Sequence, residues 1–173
     1  MLIAGPSGSG KSTVARALHG IEPVGTAVVH FDDFQHDAID LKRDNEGYVN
    51  WDTPDFTNFN EAYEKLLALK MGRTVYLQAK NEYDNPSYIK GEYKRIKIEV
   101  KPAPLIIAEG HYALLNDRVR SLAELSIFLH TDFSVSAARR TKKSDSRYDE
   151  KYLRPMHEAY VYPTQHCADT VIN

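Results

Sequence analysis

Short apolar runs alternate along this chain with longer segments in which apolar side chains recur at helical spacing. Short apolar runs between turn residues are typical of buried strands, and strands that alternate with helices form parallel βαβ units. The pattern therefore predicts an α/β fold with a mainly parallel sheet. The predicted strands are residues 2–4, 27–31, 74–77, 105–108, 125–129 and 170–172. The predicted helices are residues 12–19, 58–71, 116–122, 133–142 and 152–161.

Helical periodicity is clearest in the second predicted helix. Its stripe is formed by Phe59, Tyr63, Leu66, Leu67 and Lys70. A stripe of this kind is typical of the face that a helix buries against a sheet, so it predicts core packing rather than a ligand site.

The pattern changes between residues 79 and 100. Asn, Tyr, Asp, Pro and Gly cluster there first, and residues 93–100 then alternate between polar and apolar side chains. Turn residues followed by such alternation predict an antiparallel hairpin that projects from the sheet.

Composition narrows the class of protein. The chain has 173 residues, of which 42% are hydrophobic, so we expect one domain, residues 1–173, with its own core. The net charge of −2 predicts no nucleic acid or membrane partner, and no apolar run approaches the ~20 residues of a membrane span. We expect no signal peptide, and the single Cys167 excludes an internal disulfide, which favours a cytoplasmic location. The oligomeric state stays open.

The most informative motif is the segment 5–12, which reads GPSGSGKS and matches the phosphate-binding P-loop, G-x-x-x-x-G-K-[ST]. It follows an apolar run and precedes a helical pattern, as a P-loop requires. Backbone N–H groups and the helix dipole would bind phosphate, Lys11 would reach the β- and γ-phosphates, and Ser12 would bind Mg²⁺. The predicted cofactors are ATP and Mg²⁺. The predicted nucleotide-binding residues are Gly5, Pro6, Ser7, Gly8, Ser9, Gly10, Lys11, Ser12 and Thr13.

Acidic residues end two of the predicted strands. Asp32 follows the second strand and Glu109 follows the fourth, at the sheet edge where α/β folds bind their ligands. Asp32 would accept a proton from a substrate hydroxyl or hold Mg²⁺ through water, and Glu109 would anchor Mg²⁺ or its water shell. For its neighbour Asp33, capping of a turn is the favoured interpretation.

A basic stretch follows the fourth predicted helix, and its arginines are Arg139, Arg140 and Arg147. Guanidinium groups on a polar loop suit a lid, about residues 139–150, that closes over a transferring phosphoryl group. A solvated basic helix end, favoured by the helix dipole, explains the same residues equally well.

Several segments together resemble the uridine kinase and phosphoribulokinase-like group of P-loop kinases. They are GPSGSGKST, HFDDF, IIAEGHYAL, AARR and the C-terminal YLRPMHEAYVYPTQHCADTVIN. The resemblance implies a three-layer α/β/α P-loop fold with a small antiparallel hairpin insertion, about residues 79–100, and a short lid. It implies that Asp32 is the general base, that Ser12 and Glu109 serve Mg²⁺, and that the three arginines lie near the lid.

The segment 50–55, Asn-Trp-Asp-Thr-Pro-Asp, is similar to stretches of uridine kinases and nicotinamide riboside kinases. Both likenesses put Asp52 near the substrate ribose. The indole of Trp51 offers a stacking face, and a partly buried core aromatic is the equal alternative. The predicted substrate residues are Asp32, Trp51, Asp52, Tyr83 and Glu109. The stretch 83–88 lacks the Phe and the His that uridine kinases carry, so the base is not fixed.

The sequence therefore predicts a kinase that transfers the γ-phosphoryl group of ATP to a hydroxyl, first of all the 5′-hydroxyl of a nucleoside. Kinases for nicotinamide riboside, pantothenate or another small metabolite are alternatives. A regulatory protein that binds nucleotide without transfer is a third. The Asn-Lys-x-Asp guanine motif of GTPases and the Gly-Gly-Gln signature of transport ATPases are both missing from the sequence.

Overall fold

A five-stranded parallel sheet forms the centre of the molecule, as the sequence predicts. The computed structural model describes residues 1–36, 42–80, 95–140 and 146–173. The strand order is β2-β5-β1-β6-β7, and every neighbouring pair is parallel. The strands are β1 (Leu2–Ala4), β2 (Thr26–His30), β5 (Leu105–Glu109), β6 (Ser126–Leu129) and β7 (Thr170–Ile172). In this order β1, β5 and β2 are adjacent, so the segments that follow them meet at one edge.

Two further strands form a separate antiparallel sheet. They are β3 (Val75–Ala79) and β4 (Ile96–Val100), paired along their whole length. The predicted hairpin is confirmed in β4, but the predicted strand 74–77 is its partner and does not belong to the parallel sheet. Alternating burial explains this pairing, since β3 buries every second residue and so has one face for the core. The connection, residues 81–94, lies outside the described residues.

Helices cover both faces of the parallel sheet. They are α1 (Lys11–Ile21), α2 (Phe59–Lys70), α3 (Asp117–Arg120) and α4 (Phe133–Arg140). Leu2 and Ala4 of β1 face the cluster that contains α2, whereas Ile3 between them packs against α1. The alternation follows from the period of two along a strand. The result is the three-layer α/β/α arrangement that was predicted.

The buried face of α2 differs from the predicted stripe. Ala62, Leu66 and Leu69 are buried, whereas Lys70 is exposed and donates a hydrogen bond from Nζ to the Leu122 carbonyl at 2.8 Å. Phe59, Tyr63 and Leu66 of the predicted stripe do pack in the core, so core packing is confirmed for them.

The C-terminal helical segment, residues 146–161, begins earlier than the predicted 152–161. It alternates the α-helical turns Ser146–Tyr148 and Arg154–Met156 with π-helical turns at Asp149–Leu153 and His157–Val161. Pro155 lies in this segment and has no N–H to donate, which favours a local change of hydrogen-bond spacing. Short 3₁₀ turns are formed by Phe31–Phe34, Pro54–Phe56 and Tyr162–Cys167. Among the described residues, we find no helix with the length and apolar character to cross a membrane.

Candidate active site

The P-loop connects the end of β1 to the start of α1. Gly8 has a φ of 86°, and a Cβ at this position would lie 2.8 Å from the carbonyl oxygen of Ser136 on α4. Only glycine therefore lets the loop lie this close to α4. The first turn of α1 carries no acidic side chain. Its N–H groups and dipole are thus available to an anion.

The P-loop borders a cavity of about 570 Å³ at the carboxyl edge of the sheet. Ten of the residues predicted from the sequence line it together: Ser7, Gly8, Gly10, Lys11, Ser12, Thr13, Asp32, Glu109, Arg139 and Arg140. They come from α1 and its loop, from the ends of β2 and β5, and from α4. The cavity thus collects cations and carboxylates from segments that are distant in sequence.

Lys11 is the buried cation of this cavity. Its side chain is 7% exposed, and Nζ donates to the carbonyl oxygen of Pro6 at 2.9 Å. Burial lowers the pKa of Lys11, and the charges of Glu109 and Asp32 oppose that effect. A buried ammonium group is stabilised by nearby negative charge, so a phosphate group in this cavity would be bound strongly.

Glu109 links the P-loop to the neighbouring strand. Its Oε1 accepts hydrogen bonds from Ser12 Oγ at 2.9 Å and from His30 Nδ1 at 2.5 Å. Burial raises the pKa of Glu109, but the hydrogen bond from His30 and the charge of Lys11 outweigh it, so the pKa is lowered and the carboxylate is ionised. A hydroxyl and a carboxylate are the hard oxygen donors that Mg²⁺ prefers, so these residues fit the ion.

Asp32 lies in the 3₁₀ turn Phe31–Phe34 that follows β2. The rings of Phe31 and Phe34 are buried and pack edge to face with centroids 5.7 Å apart, whereas Asp32 between them is exposed and lines the cavity. Burial of its two aromatic neighbours therefore directs the carboxylate to the cavity side.

Asp33 does not simply cap a turn, contrary to our interpretation of the sequence. Its side chain is buried, and Oδ1 accepts a hydrogen bond from the backbone N–H of Lys80 at 2.8 Å. It thus connects the end of β2 to the end of β3.

Arg139 and Arg140 both donate hydrogen bonds to the P-loop. Nη1 of Arg139 contacts the carbonyl oxygen of Gly8 at 3.1 Å, and Nη1 of Arg140 contacts the hydroxyl of Ser7. Arg140 also lies 3.6 Å from the buried carboxylate of Asp149. The basic end of α4 is therefore folded against the loop, and its role toward phosphate stays a prediction.

His157 was missed by the sequence analysis. It is fully buried, and its Nε2 accepts a hydrogen bond from the backbone N–H of Ser7 at 3.4 Å. Burial, with the nearby charges of Lys11 and Arg140 and His111, lowers its pKa to about 3. The imidazole is thus neutral and able to accept a hydrogen bond from the loop.

His111 is a second missed residue. It lines the cavity directly after the Glu109-Gly110 pair, and its ring packs edge to face on Tyr112 with centroids 4.2 Å apart. Burial lowers its pKa, while the charges of both Asp32 and Asp52 act in the opposite sense. Its Nε2 is buried and has no hydrogen-bond partner in the described part of the chain.

Two of the predicted substrate residues, Asp32 and Glu109, line this cavity, whereas Trp51 and Asp52 do not. Trp51 is half-buried, with its indole edge to face on Phe56 at 5.6 Å. Asp52 is 8% exposed, and its Oδ2 accepts a hydrogen bond from the hydroxyl of Tyr148 at 2.7 Å. Arg147 is exposed in the short turn Ser146–Tyr148. Tyr83 lies outside the described residues.

The missed residues differ in how visible they are in the sequence. His30 and His111 each lie two positions from a predicted acid at a strand end, which is a usable signal. His157 and Tyr148 lie in a helical segment more than ninety positions from their partners, as their contacts with Ser7 and Asp52 show. Only the folded chain reveals such pairs.

The whole chain matches one protein family. Residues 1–173 match the Phosphoribulokinase / Uridine kinase family. A uridine kinase from Staphylococcus aureus (strain JH9) is 33% identical over 181 residues, which cover 98% of this chain and 84% of that protein. The chain thus spans most of this relative's length.

Solved structures share the fold. A possible uridine kinase from Bacillus stearothermophilus has a TM-score of 0.62 at 19% identity, covering 99% of this chain and 86% of that chain. Phosphoribulokinase from Rhodobacter spheroides has a TM-score of 0.63 at 10% identity, covering 98% of this chain and 70% of that chain. The P-loop kinase fold predicted from the sequence is therefore confirmed.

Proposed function

The chain belongs to the phosphoribulokinase / uridine kinase family, and we propose that its own reaction moves the γ-phosphoryl group of ATP to the 5′-hydroxyl of a nucleoside or a related riboside. Membership makes it a phosphotransferase with an alcohol group as acceptor. The riboside is the finer step that we add.

One observation carries the proposal, namely that Lys11 and Asp32 line the same cavity. Lys11 comes from the start of α1, and Asp32 comes from the turn that follows β2. The ammonium group of Lys11 and the N–H groups of the P-loop hold the triphosphate, and the carboxylate of Asp32 faces the acceptor. Asp32 takes the proton of the acceptor hydroxyl while the oxygen of that hydroxyl forms the bond to the γ-phosphorus. ADP leaves with the electron pair of the broken P–O bond.

The remaining polar groups stabilise charge. Ser12 and Glu109, joined at 2.9 Å, would hold Mg²⁺ with support from Asp32, and the bound ion neutralises phosphate charge. Arg139 and Arg140 already contact the P-loop and would stabilise the transferring group, together with Arg147 at the far end of the lid.

The acceptor side supports a ribose. The side chain of Asp52 is a carboxylate that accepts a hydrogen bond from a neutral phenol, so its negative charge is left for hydroxyl donors of the substrate. The relative that is 33% identical is a uridine kinase, which favours a nucleoside. Trp51 next to it would contact the sugar or the base.

ADP release in an acceptor panel tests the proposal. Purified chain, ATP and Mg²⁺ are incubated with uridine, cytidine, nicotinamide riboside, pantothenate or no acceptor, and products are identified by mass. We expect a riboside to raise ADP formation at least about tenfold and to appear as its 5′-monophosphate. Stimulation by pantothenate alone would contradict the acceptor class, and no stimulation by any acceptor would contradict transfer itself.

A further inference from the structure

Tyr148 makes two hydrogen bonds to the acceptor loop, residues 42–52. Its hydroxyl accepts from the backbone N–H of Trp51 at 2.9 Å and donates to Oδ2 of Asp52 at 2.7 Å. The contacts bridge 97 and 96 positions of sequence. A phenol with one donor and one acceptor in use has a fixed orientation, and so has the carboxylate that it holds.

The backbone of Asp52 is held as well. The hydroxyl of Tyr112, which is buried, donates to the carbonyl oxygen of Asp52. Asp52 is thus fixed through its side chain by one tyrosine and through its main chain by another. Such double support is expected of a residue whose exact position matters for binding.

The partner of the carboxylate is neutral. Within the described ranges, no lysine or arginine forms an ion pair with Asp52, so Tyr148 orients it without cancelling its charge. Burial, with the adjacent Asp52 charge, raises the pKa of Tyr148, so the phenol stays protonated and remains a donor. The buried carboxylate keeps its charge, and its remaining lone pairs can accept hydrogen bonds from an uncharged polyol.

Tyr148 also lies where the reaction needs it. It lies in the first turn of the C-terminal helical segment, inside the predicted lid and next to Arg147. The same segment holds the start of the acceptor loop, because Lys151 Nζ lies 2.7 Å from Oδ2 of Asp44. Tyr112, whose hydroxyl donates to the carbonyl oxygen of Asp52, directly follows His111 of the cavity lining, so Asp52 lies near the cavity.

From these contacts we infer that Tyr148 is a positioning residue for the phosphoryl acceptor, which acts by holding the carboxylate of Asp52 in the orientation that binds a hydroxyl of a riboside. The inference rests on the proposed function. It names a specificity element that the sequence analysis did not contain, and it predicts an effect on the acceptor without an effect on ATP.

Calorimetric binding tests this role without phosphoryl transfer. Uridine and nicotinamide riboside are titrated into the chain in the presence of Mg²⁺ and a non-hydrolysable ATP analogue. Tyr148→Phe keeps the ring and removes the hydroxyl, so we expect about tenfold weaker riboside binding and unchanged binding of the analogue. The matched control is Tyr76→Phe, which removes an exposed hydroxyl on β3 that contacts Glu99 of β4. It should leave riboside binding within about twofold.

A double-mutant cycle separates positioning from a general loss of structure. If Tyr148 acts through Asp52, then Tyr148→Phe adds less than about twofold to the effect of Asp52→Asn. Additive effects would overturn the inference, as would equal riboside affinity in Tyr148→Phe and the unmodified chain.

ADP formation measured on the same proteins distinguishes this inference from the proposed function. If riboside binding depends on Tyr148 but no phosphoryl transfer follows, the proposed function is wrong and the role of Tyr148 is still supported. If neither riboside binds to the unmodified chain, Asp52 does not serve an acceptor, and the inference is overturned.

Discussion

Ser12 Oγ donates a hydrogen bond of 2.9 Å to Glu109 Oε1 across 97 positions of sequence. The contact exists because β1 and β5 are neighbours in the parallel sheet, with Ile3 in register with Glu109. Ser12 in the first turn of α1 and the acid that ends the adjacent strand therefore meet in the cavity. Two predicted Mg²⁺ ligands thus lie side by side.

Glu109→Gln should weaken the binding of Mg²⁺. The amide keeps the size of the side chain but removes the negative charge of the carboxylate, which His30 and Lys11 stabilise. We expect the Mg²⁺ concentration for half-maximal transfer to rise about tenfold or more. A Mg²⁺ titration of initial rates at saturating ATP measures this shift.

Glu99→Gln on β4 is the matched control, since Glu99 contacts the hydroxyl of Tyr76 and the side chain of Lys101 at the surface. Its Mg²⁺ titration should match that of the unmodified chain. Identical titrations for Glu109→Gln would remove Glu109 from the metal site.

Lys11→Ala should impair both nucleotide binding and rate. The substitution removes the buried cation of the cavity, which meets the phosphates in the ground state and in the transition state alike. We expect about tenfold weaker binding of an ATP analogue and a loss of about a hundredfold or more in turnover. Calorimetry and initial rates give the two values.

Lys101→Ala serves as the control for a lost lysine, because Lys101 is exposed and lies beside Glu99 away from the P-loop. This variant should retain both the affinity for the ATP analogue and the turnover of the unmodified chain. A normal rate in Lys11→Ala would exclude Lys11 from the mechanism.

Acid should destabilise the chain through His157. Its pKa is about 3 when folded and 6.5 when exposed, so between these values the unfolded chain binds one more proton than the folded chain. The free energy of unfolding therefore falls as the pH falls below 6.5. At about pH 5 this single group accounts for a loss of about 2 kcal/mol.

Urea unfolding of the unmodified chain and of His157→Gln, each at about pH 7.5 and about pH 5, measures that contribution. Glutamine cannot take up the proton but retains an acceptor for the N–H of Ser7. The unmodified chain should lose about 2 kcal/mol more than the variant on acidification. Equal losses would show that His157 does not carry this linkage.

The parts of the fold that follow from local pattern were predictable. A glycine-rich turn or an acid directly after a parallel strand is visible in contiguous residues of the sequence. The P-loop, Asp32 and Glu109 could therefore be predicted as candidate site residues from the sequence alone. The likeness of short motifs to a known kinase family added Asp52 as a predicted substrate residue.

Contacts between distant segments were not predictable. The sequence of residues 74–77 does not indicate that this strand pairs with residues 96–100 instead of joining the parallel sheet, because tertiary packing determines which strands pair. The same reason hides the contact of His157 with Ser7. The end of the α2 stripe was wrong, because periodicity alone does not separate Lys70, which is exposed, from Leu69, which is buried.

Acceptor phosphorylation by Asp32→Asn tests the central claim most directly. Asparagine keeps the shape of the side chain in its turn but cannot take the proton of the acceptor hydroxyl. With saturating ATP and the acceptor found in the panel, turnover should fall by about two orders of magnitude or more, while the affinity for an ATP analogue stays nearly unchanged. Turnover close to that of the unmodified chain would contradict the account, because Asp32 would then not be the base.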